Sequence, residues 1–393
     1  MLRRYWRGLP WDGLGWRAGR DTALALMRRR AAADWRRGLP RILRLVVWLA
    51  DRAVWPLAAL PETIAFAHSR GLGYARAAQL FGDCVGSGAI PMEAQVWRSL
   101  HGDIHPLPGR SASLVQAGLG APEGHHLLAD KLATAEHLSG QGIVFPALHR
   151  LYTKGQAVDL PALTGSQAGL FVKPRHGHAG RGCFALTRQG DEWRLDGRIV
   201  APSALAERIS RLALRDDVLV QDRLTAAPGL MDLAMDGKVP VLRLVTACLP
   251  AGEPFLHSAL LTVGVPGQDS RHFLDGAIYA PADPATGRLH PGLRLAEPKI
   301  RMDRLDWSGT MLTGRMLPDF ASAVDMVLHA MKALPPLPLV HWDIVLTPAG
   351  PVVLEGNSAG NWIIASLPGI DGLAAYPLAP LLERWMAADG FPG

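Results

Sequence analysis

Val340-His-Trp-Asp-Ile-Val-Leu-Thr-Pro-Ala-Gly-Pro-Val-Val-Leu-Glu-Gly-Asn357 holds two apolar runs, Ile344–Leu346 and Val352–Leu354, on either side of a Thr-Pro-Ala-Gly turn. Apolar runs split by Pro and Gly predict a β-hairpin. Asp343 is placed at the start of the first strand, and Glu355 and Asn357 at the end of the second. An antiparallel hairpin brings those ends to one side. Glu355 and Asn357 are two apart, so on an extended chain they share a face. Three oxygen-bearing side chains are thus expected to converge. Such a set suits Mg²⁺, whose remaining positions take water and nucleotide phosphates. Read alone, the same pattern also describes a solvated hairpin end.

Composition bounds the rest. The chain has 393 residues, 49% of them hydrophobic, enough for two or three ordinary domains. The three cysteines, Cys84, Cys183 and Cys248, are far apart. They offer neither zinc spacing nor a disulfide framework, so a reducing, cytoplasmic location is expected. No apolar core of a secretory signal follows the first arginines.

The net charge of +6 is unevenly spread: residues 1–52 hold thirteen Arg and four Asp. Half of the twelve tryptophans lie in the first 55 residues. Two readings of residues 1–55 stay open. One is a segment that meets a membrane surface or an acidic partner. The other is a helical layer whose tryptophans pack inward and whose arginines face water. Ile42–Leu60 is interrupted by Arg44, Asp51, Arg52 and Pro56, which excludes a membrane span. Nucleic-acid recognition is not expected, because no zinc, RNA-binding or helix-turn-helix pattern accompanies the arginines.

The pattern along the chain predicts an α+β protein in three regions: a mostly helical, basic, Trp-rich region over 1–110, a linker and small lobe over 111–220, and a larger sheet-rich lobe over 221–393. Helices are expected over Ala129–Ser139, Ser203–Leu214 (with Ser203 as N-cap) and Phe320–Met331. Strands are expected at Ile143–Pro146, Leu170–Pro174, Val218–Gln221, Val241–Ala247 and Phe255–Val263.

Only six lysines stand against 35 arginines, so a lysine in a motif-like setting is informative. Its compact ammonium suits a phosphate as a point charge. Lys173 closes a strand and precedes a loop carrying Gly177, Gly180 and Gly182. Those glycines let successive backbone N–H groups cradle an anion. Gly182-Cys-Phe-Ala-Leu186 reads as the return strand, giving a hairpin with a mobile tip, a candidate lid. The loop matches neither a Walker sequence nor a dinucleotide fingerprint. Val218–Gln221 runs into Asp222, Arg223 and Leu224, a strand end whose backbone could read adenine. Arg243 lies inside an apolar strand and needs an anionic partner there.

A helix Lys, a strand Lys with a Gly-rich hairpin, the strand ending in Gln-Asp-Arg-Leu224, a strand Arg and then Asp…Glu-x-Asn, in that order, resemble the ATP-grasp superfamily. Val220–Leu224, Leu242–Thr246, Asp283–Leu289 and Trp342–Asn357 are similar to its sugar-transfer-associated group, over about residues 125–370. The resemblance implies an ATP-grasp fold, two α+β lobes clasping ATP. It implies that Lys131 and Lys173 hold phosphates and that the loop with Gly177, Gly180 and Gly182 closes over them. Backbone groups of Asp222 and Leu224 would read adenine, with Gln221 beside them. Arg243 would contact the γ-phosphate or an acyl-phosphate, and Asp343, Glu355 and Asn357 would hold Mg²⁺. Asp232 is a candidate for the ribose. The chain departs from the group's pattern at Arg271-His272 and Gly276-Ala277, where Asp-Asn and Gly-Gly pairs are expected.

The expected activity is an ADP-forming ligase that joins a small-molecule or peptide carboxylate to an amine or thiol through an acyl-phosphate. Lys173 and Arg243 would be its catalytic groups. Direct phosphoryl transfer to a hydroxyl is the alternative, with His272, His341 or Asp275 as base. A nucleotide-binding partner protein without chemistry is the third reading.

Overall fold

The computed structural model describes residues 56–57, 59–87, 89–101, 116, 118–160, 169–177, 180–190, 192–235, 237–269, 274–295, 300–358, 360, 364, 367 and 378–388. The basic opening, Arg271 and His272 lie outside these residues. Among them, no helix is long and apolar enough to cross a membrane.

Two antiparallel sheets dominate. The smaller is built from β1 (Leu148–Tyr152), β2 (Leu170–Pro174), β3 (Phe184–Gln189), β4 (Glu192–Leu195), β5 (Arg198–Val200) and β6 (Val218–Asp222). Its strand order is β1-β6-β2-β3-β4-β5. Val172, Leu186, Val218 and Val220 point to one face, where a helix over Pro202–Ala213 packs Leu205, Ile209 and Ala213 against them. Ala201, not Ser203, is that helix's N-cap, and Pro202 occupies the first helical position. Pro is favoured there because its missing N–H would have no intrahelical partner, so the N-cap lies two residues earlier than the Ser203 signal indicates.

The larger sheet contains β7 (Val241–Ala247), β8 (Phe255–Gly264), β9 (Ala277–Ala282), β10 (Gly292–Arg294), β11 (Ile300–Met302), β12 (Leu339–Thr347) and β13 (Gly350–Asn357). The order is β11-β10-β9-β8-β7-β12-β13. A helix over Phe320–Ala333 covers one face, joining Ala323, Val327 and Ala330 to Leu242, Leu244, Ile344 and Leu346. The opposite face carries Leu260, Tyr279 and Leu293, and Val96 from a helix over Pro91–His101 packs on it. Helices over Pro122–Ala129 and Lys131–Ser139 send Leu128 and Leu138 into the larger core. Segment 111–220 therefore contributes to both cores.

Two strand expectations change. Ile143–Pro146 is not a strand, and β1 lies further on at Leu148–Tyr152. Ile143 is buried, but the Val144 carbonyl accepts from the Val353 N–H at 2.9 Å and Pro146 has no N–H to give a ladder. β12 also begins before Asp343, which sits mid-strand between β7 and β13.

The hairpin register has one irregularity. Asp343 faces Glu355, but Ile344 faces Val353, so Leu354 is the extra residue of a β-bulge. The bulge resets the alternation of β13. Val353 joins the core beside Ile344, while Glu355 shares the opposite face with Asp343.

Candidate functional site

The site grows from one row of residues across three adjacent strands. Asp343 of β12 is in register with Arg243 of β7 on one side and Glu355 of β13 on the other. Cross-strand partners share a sheet face. Arg243 Nε and Nη2 donate to the two Asp343 carboxylate oxygens at 2.8 and 2.9 Å. This is the bidentate fork for which Arg is suited. Burial opposes the guanidinium's charge, but Asp343 outweighs it and the Arg243 pKa moves upward. The anionic partner expected for a strand Arg is thus a carboxylate of the same row.

The two lysines arrive from elsewhere. Lys131 opens its helix and donates from Nζ to the Gly177 carbonyl at 2.8 Å. The same Nζ lies 3.8 Å from Glu355 Oε2. Lys173, at the end of β2, is 7% exposed and donates to the Leu354 carbonyl at 3.3 Å. Burial, with the Lys131 charge adding to it, brings its pKa down to about 8, against the pull of Glu355. Asn357 Nδ2 donates to Glu355 Oε1 at 3.2 Å. Arg243, Asp343, Glu355, Asn357, Lys131 and Lys173 therefore meet at one place, where the smaller sheet's Lys173 touches the larger sheet's hairpin.

The donors are carboxylate and amide oxygens, the hard set that suits Mg²⁺. Both Asp343 oxygens already accept from Arg243, so a cation there shares that carboxylate through its remaining lone pairs. The cluster carries more cationic than anionic side chains, three against two, which fits a polyanionic nucleotide.

Gly177, Gly180 and Gly182 have φ of +118°, +63° and +80°, values that L side chains rarely adopt. A Cβ on Gly182 would stand 2.9 Å from Leu212 Cδ2 and 3.2 Å from Pro174 Cγ. The loop tip at 178–179 lies outside the described residues.

The adenine set is only partly as expected. Gln221 is buried inside β6, between β1 and β2. The Asp222 N–H donates to the Ala147 carbonyl at 2.9 Å, and Asp222 Oδ1 lies 2.7 Å from His149 Nε2. That N–H is committed. Among the described residues Leu224 makes no backbone hydrogen bond, which leaves it as the donor at this strand end. Asp232, the ribose candidate, is held instead by Arg315 at 2.6 and 2.7 Å.

Of the candidate bases, one is buried and one is ion-paired. His341 is fully buried, and burial, then Arg243 and His257, hold its pKa well below the histidine range. Asp275 is ion-paired with Arg70 at 2.8 Å. His272 lies outside the described residues. Two contributors escaped the sequence reading. One is the Leu354 carbonyl. The other is Asp130, the N-cap of the Lys131 helix, which accepts from Leu132 and Ala133 N–H at 3.0 and 3.1 Å. An Asp directly before a helix was the signal available.

Gly356 separates Glu355 from Asn357, and a Cβ there would meet the Trp342 ring at 2.8 Å. Trp342 is fully buried and cannot yield cheaply. Gly356→Ala is expected to cost about 1–3 kcal/mol by overpacking, read as a lowered midpoint in urea. An unchanged midpoint would show that the ring can move.

Residues 119–376 match the family model described as sugar-transfer associated ATP-grasp. The chain belongs to the sugar-transfer-associated ATP-grasp family. A comparison with curated proteins returns no match. Among solved structures, the L-amino acid ligase from Bacillus licheniformis is 13% identical, with 71% of this chain and 53% of that one covered at a TM-score of 0.41. The VanG D-Ala:D-Ser ligase from Enterococcus faecalis is 12% identical, with 68% and 63% covered at 0.42. The D-alanine–D-alanine ligase from Bacillus anthracis, complexed with ATP, is 13% identical, with 68% of each chain covered at 0.41. This ATP-grasp chain thus spans about half the length of the first structure and under two thirds of the second.

Proposed function

We propose that this ATP-grasp protein is an ADP-forming ligase joining a carboxylate to an amine or thiol. The observation that carries the reading is the meeting of Lys131 and Lys173 with the Arg243–Asp343–Glu355 row. In this reading Lys131, Lys173 and the glycine loop hold the ATP phosphates. Leu224 donates to adenine, and Asp343, Glu355 and Asn357 hold Mg²⁺. Bound Mg²⁺ would neutralise phosphate charge and align the γ-phosphate. A substrate carboxylate oxygen attacks the γ-phosphorus, the bond to ADP breaks, and an acyl-phosphate forms. The amine or thiol then attacks the acyl carbon and phosphate leaves. Arg243 and Lys173 stabilise the charge that moves during these steps. No protein nucleophile is required, in keeping with scattered cysteines. The burial of His341 and the ion pair of Asp275 with Arg70 weigh against direct transfer to a hydroxyl, which needs a base.

Thermal unfolding with and without Mg²⁺-ATP tests the site. Ligand at ~100 times its Kd should stabilise wild type by about 2.7 kcal/mol, and Glu355→Ala should lose most of that shift. Substrate screening should then yield ADP and phosphate. AMP and pyrophosphate would overturn the ligase reading, and equal shifts in both proteins would remove Glu355 from the site.

A further inference from the structure

Arg175 follows the Lys173-Pro174 pair and belongs to none of the groups assigned above. Its Nε and Nη2 donate to Asp130 Oδ1 and Oδ2 at 2.8 and 2.6 Å. Its Nη1 donates to Asp217 Oδ2 at 3.0 Å. Its carbonyl accepts from the Lys131 N–H at 3.3 Å, and its own N–H donates to the Asp217 carbonyl at 2.8 Å. One residue thus ties together the end of β2, the residue before β6 and the cap of the helix that Lys131 opens. The next residue continues the tie: His176 N–H donates to Asp216 Oδ2 at 2.7 Å, and its Nδ1 lies 2.8 Å from Asp216 Oδ1.

We infer that Arg175, with Asp130 and Asp217, is a positioning strut that fixes the spacing of Lys131 and Lys173 and so sets affinity for the nucleotide's phosphates. This rests on the nucleotide reading of the site. The physical argument concerns flexible stems. Two lysines on separate elements can grip one polyphosphate only if their backbones hold a fixed separation, since each stem has four rotatable carbons. Among the described residues, the Lys131–Arg175 bond at 3.3 Å is the one backbone hydrogen bond between the start of the Lys131 helix and the end of β2. The Asp130–Arg175 fork supplies the missing constraint, and Asp130 at the same time caps the helix that carries the lysine. Arg175 is chemically suited to this and Lys is not, because three hydrogen bonds in a planar fork are needed at once.

The test uses the full chain and three ligands measured by calorimetry: Mg²⁺-ATP, ADP and adenosine. Arg175→Lys and Asp130→Asn should each weaken ATP and ADP by about tenfold to 100-fold, the effect of misplacing a gripping group by about 1 Å. Adenosine affinity should not change, because the strut touches neither Leu224 nor its strand end. Equal weakening of adenosine would show a general loss of structure and overturn the strut. Unchanged ATP affinity in both single variants would overturn it too. Failure of the wild-type chain to bind any of the three would overturn the nucleotide reading beneath it, a distinct result.

Discussion

Asp343→Ala should lower folding stability by about 3 kcal/mol, read from urea unfolding without nucleotide. The side chains of Arg243 and Asp343 are 17% and 14% exposed, so the pair is largely withdrawn from water. Removing the carboxylate strands a guanidinium whose two donors at 2.8 and 2.9 Å lose their acceptor. The cost is then the uncompensated charge, not the modest net worth of the pair. The double variant Asp343→Ala with Arg243→Leu should recover most of the loss, since no charge is left unpaired. A single variant within about 0.5 kcal/mol of wild type would show that water or Glu355 satisfies Arg243. All variants lacking Asp343 should lose the Mg²⁺-ATP shift. Stability and ligand binding would then separate, because the double variant folds but does not bind.

Lys173→Met should abolish the Mg²⁺-ATP shift and yet stabilise the free protein near neutral pH. Burial brings the Lys173 pKa to about 8 from its ordinary 10.5. The unfolded chain therefore holds the proton more tightly. Between about pH 8 and pH 10.5 it carries more protons than the folded chain, so Lys173 makes stability rise with pH across that window. Below pH 8 the buried charge costs about 3 kcal/mol at most, and Met of similar shape removes that cost. The stability difference between Lys173→Met and wild type should be largest below pH 8 and vanish toward pH 10.5. Tyr279 and Cys84, both pushed upward by burial, act in the opposite sense at alkaline pH. They act equally in both proteins and cancel in the difference. A pH-independent difference would mean that Lys173 is solvated. With nucleotide present the sign reverses, since phosphates favour the ammonium. Wild-type ATP affinity should fall as pH rises through 8.

Much of this residue cluster was legible because its signals are local. The hairpin at 344–354, the lysine before three glycines and the strand arginine are each written within a short window. What the windows could not show is pairing over distance. Arg243 lies 100 positions from Asp343, and only the β7–β12 register makes them neighbours. Arg175, Asp130 and Asp217 stand at the ends of three elements and look like ordinary surface charges one at a time. β9, Ala277–Ala282, is fully buried yet contains three alanines and a proline, poor strand formers, so its place was set by the sheet around it. The pairing of Asp232 with Arg315 was hidden for the same reason, since nothing local reveals it.

The extra residue at Leu354 has a consequence for how the length of this gene segment can vary. On one side of the bulge β13 feeds the core through Val353, and on the other it feeds the site through Glu355. Deleting Leu354 itself would leave Val353 opposite Ile344 and Glu355 opposite Asp343 in an unbroken ladder, whereas deleting Gly356 would bring Asn357 opposite Trp342 and take it off the site's face. At the far end of the same hairpin, the two-residue Pro348-Ala349 turn can gain residues without moving that register. A library of length variants should thus retain the loss of Leu354 far more often than the loss of Glu355 or Gly356, two residues apart.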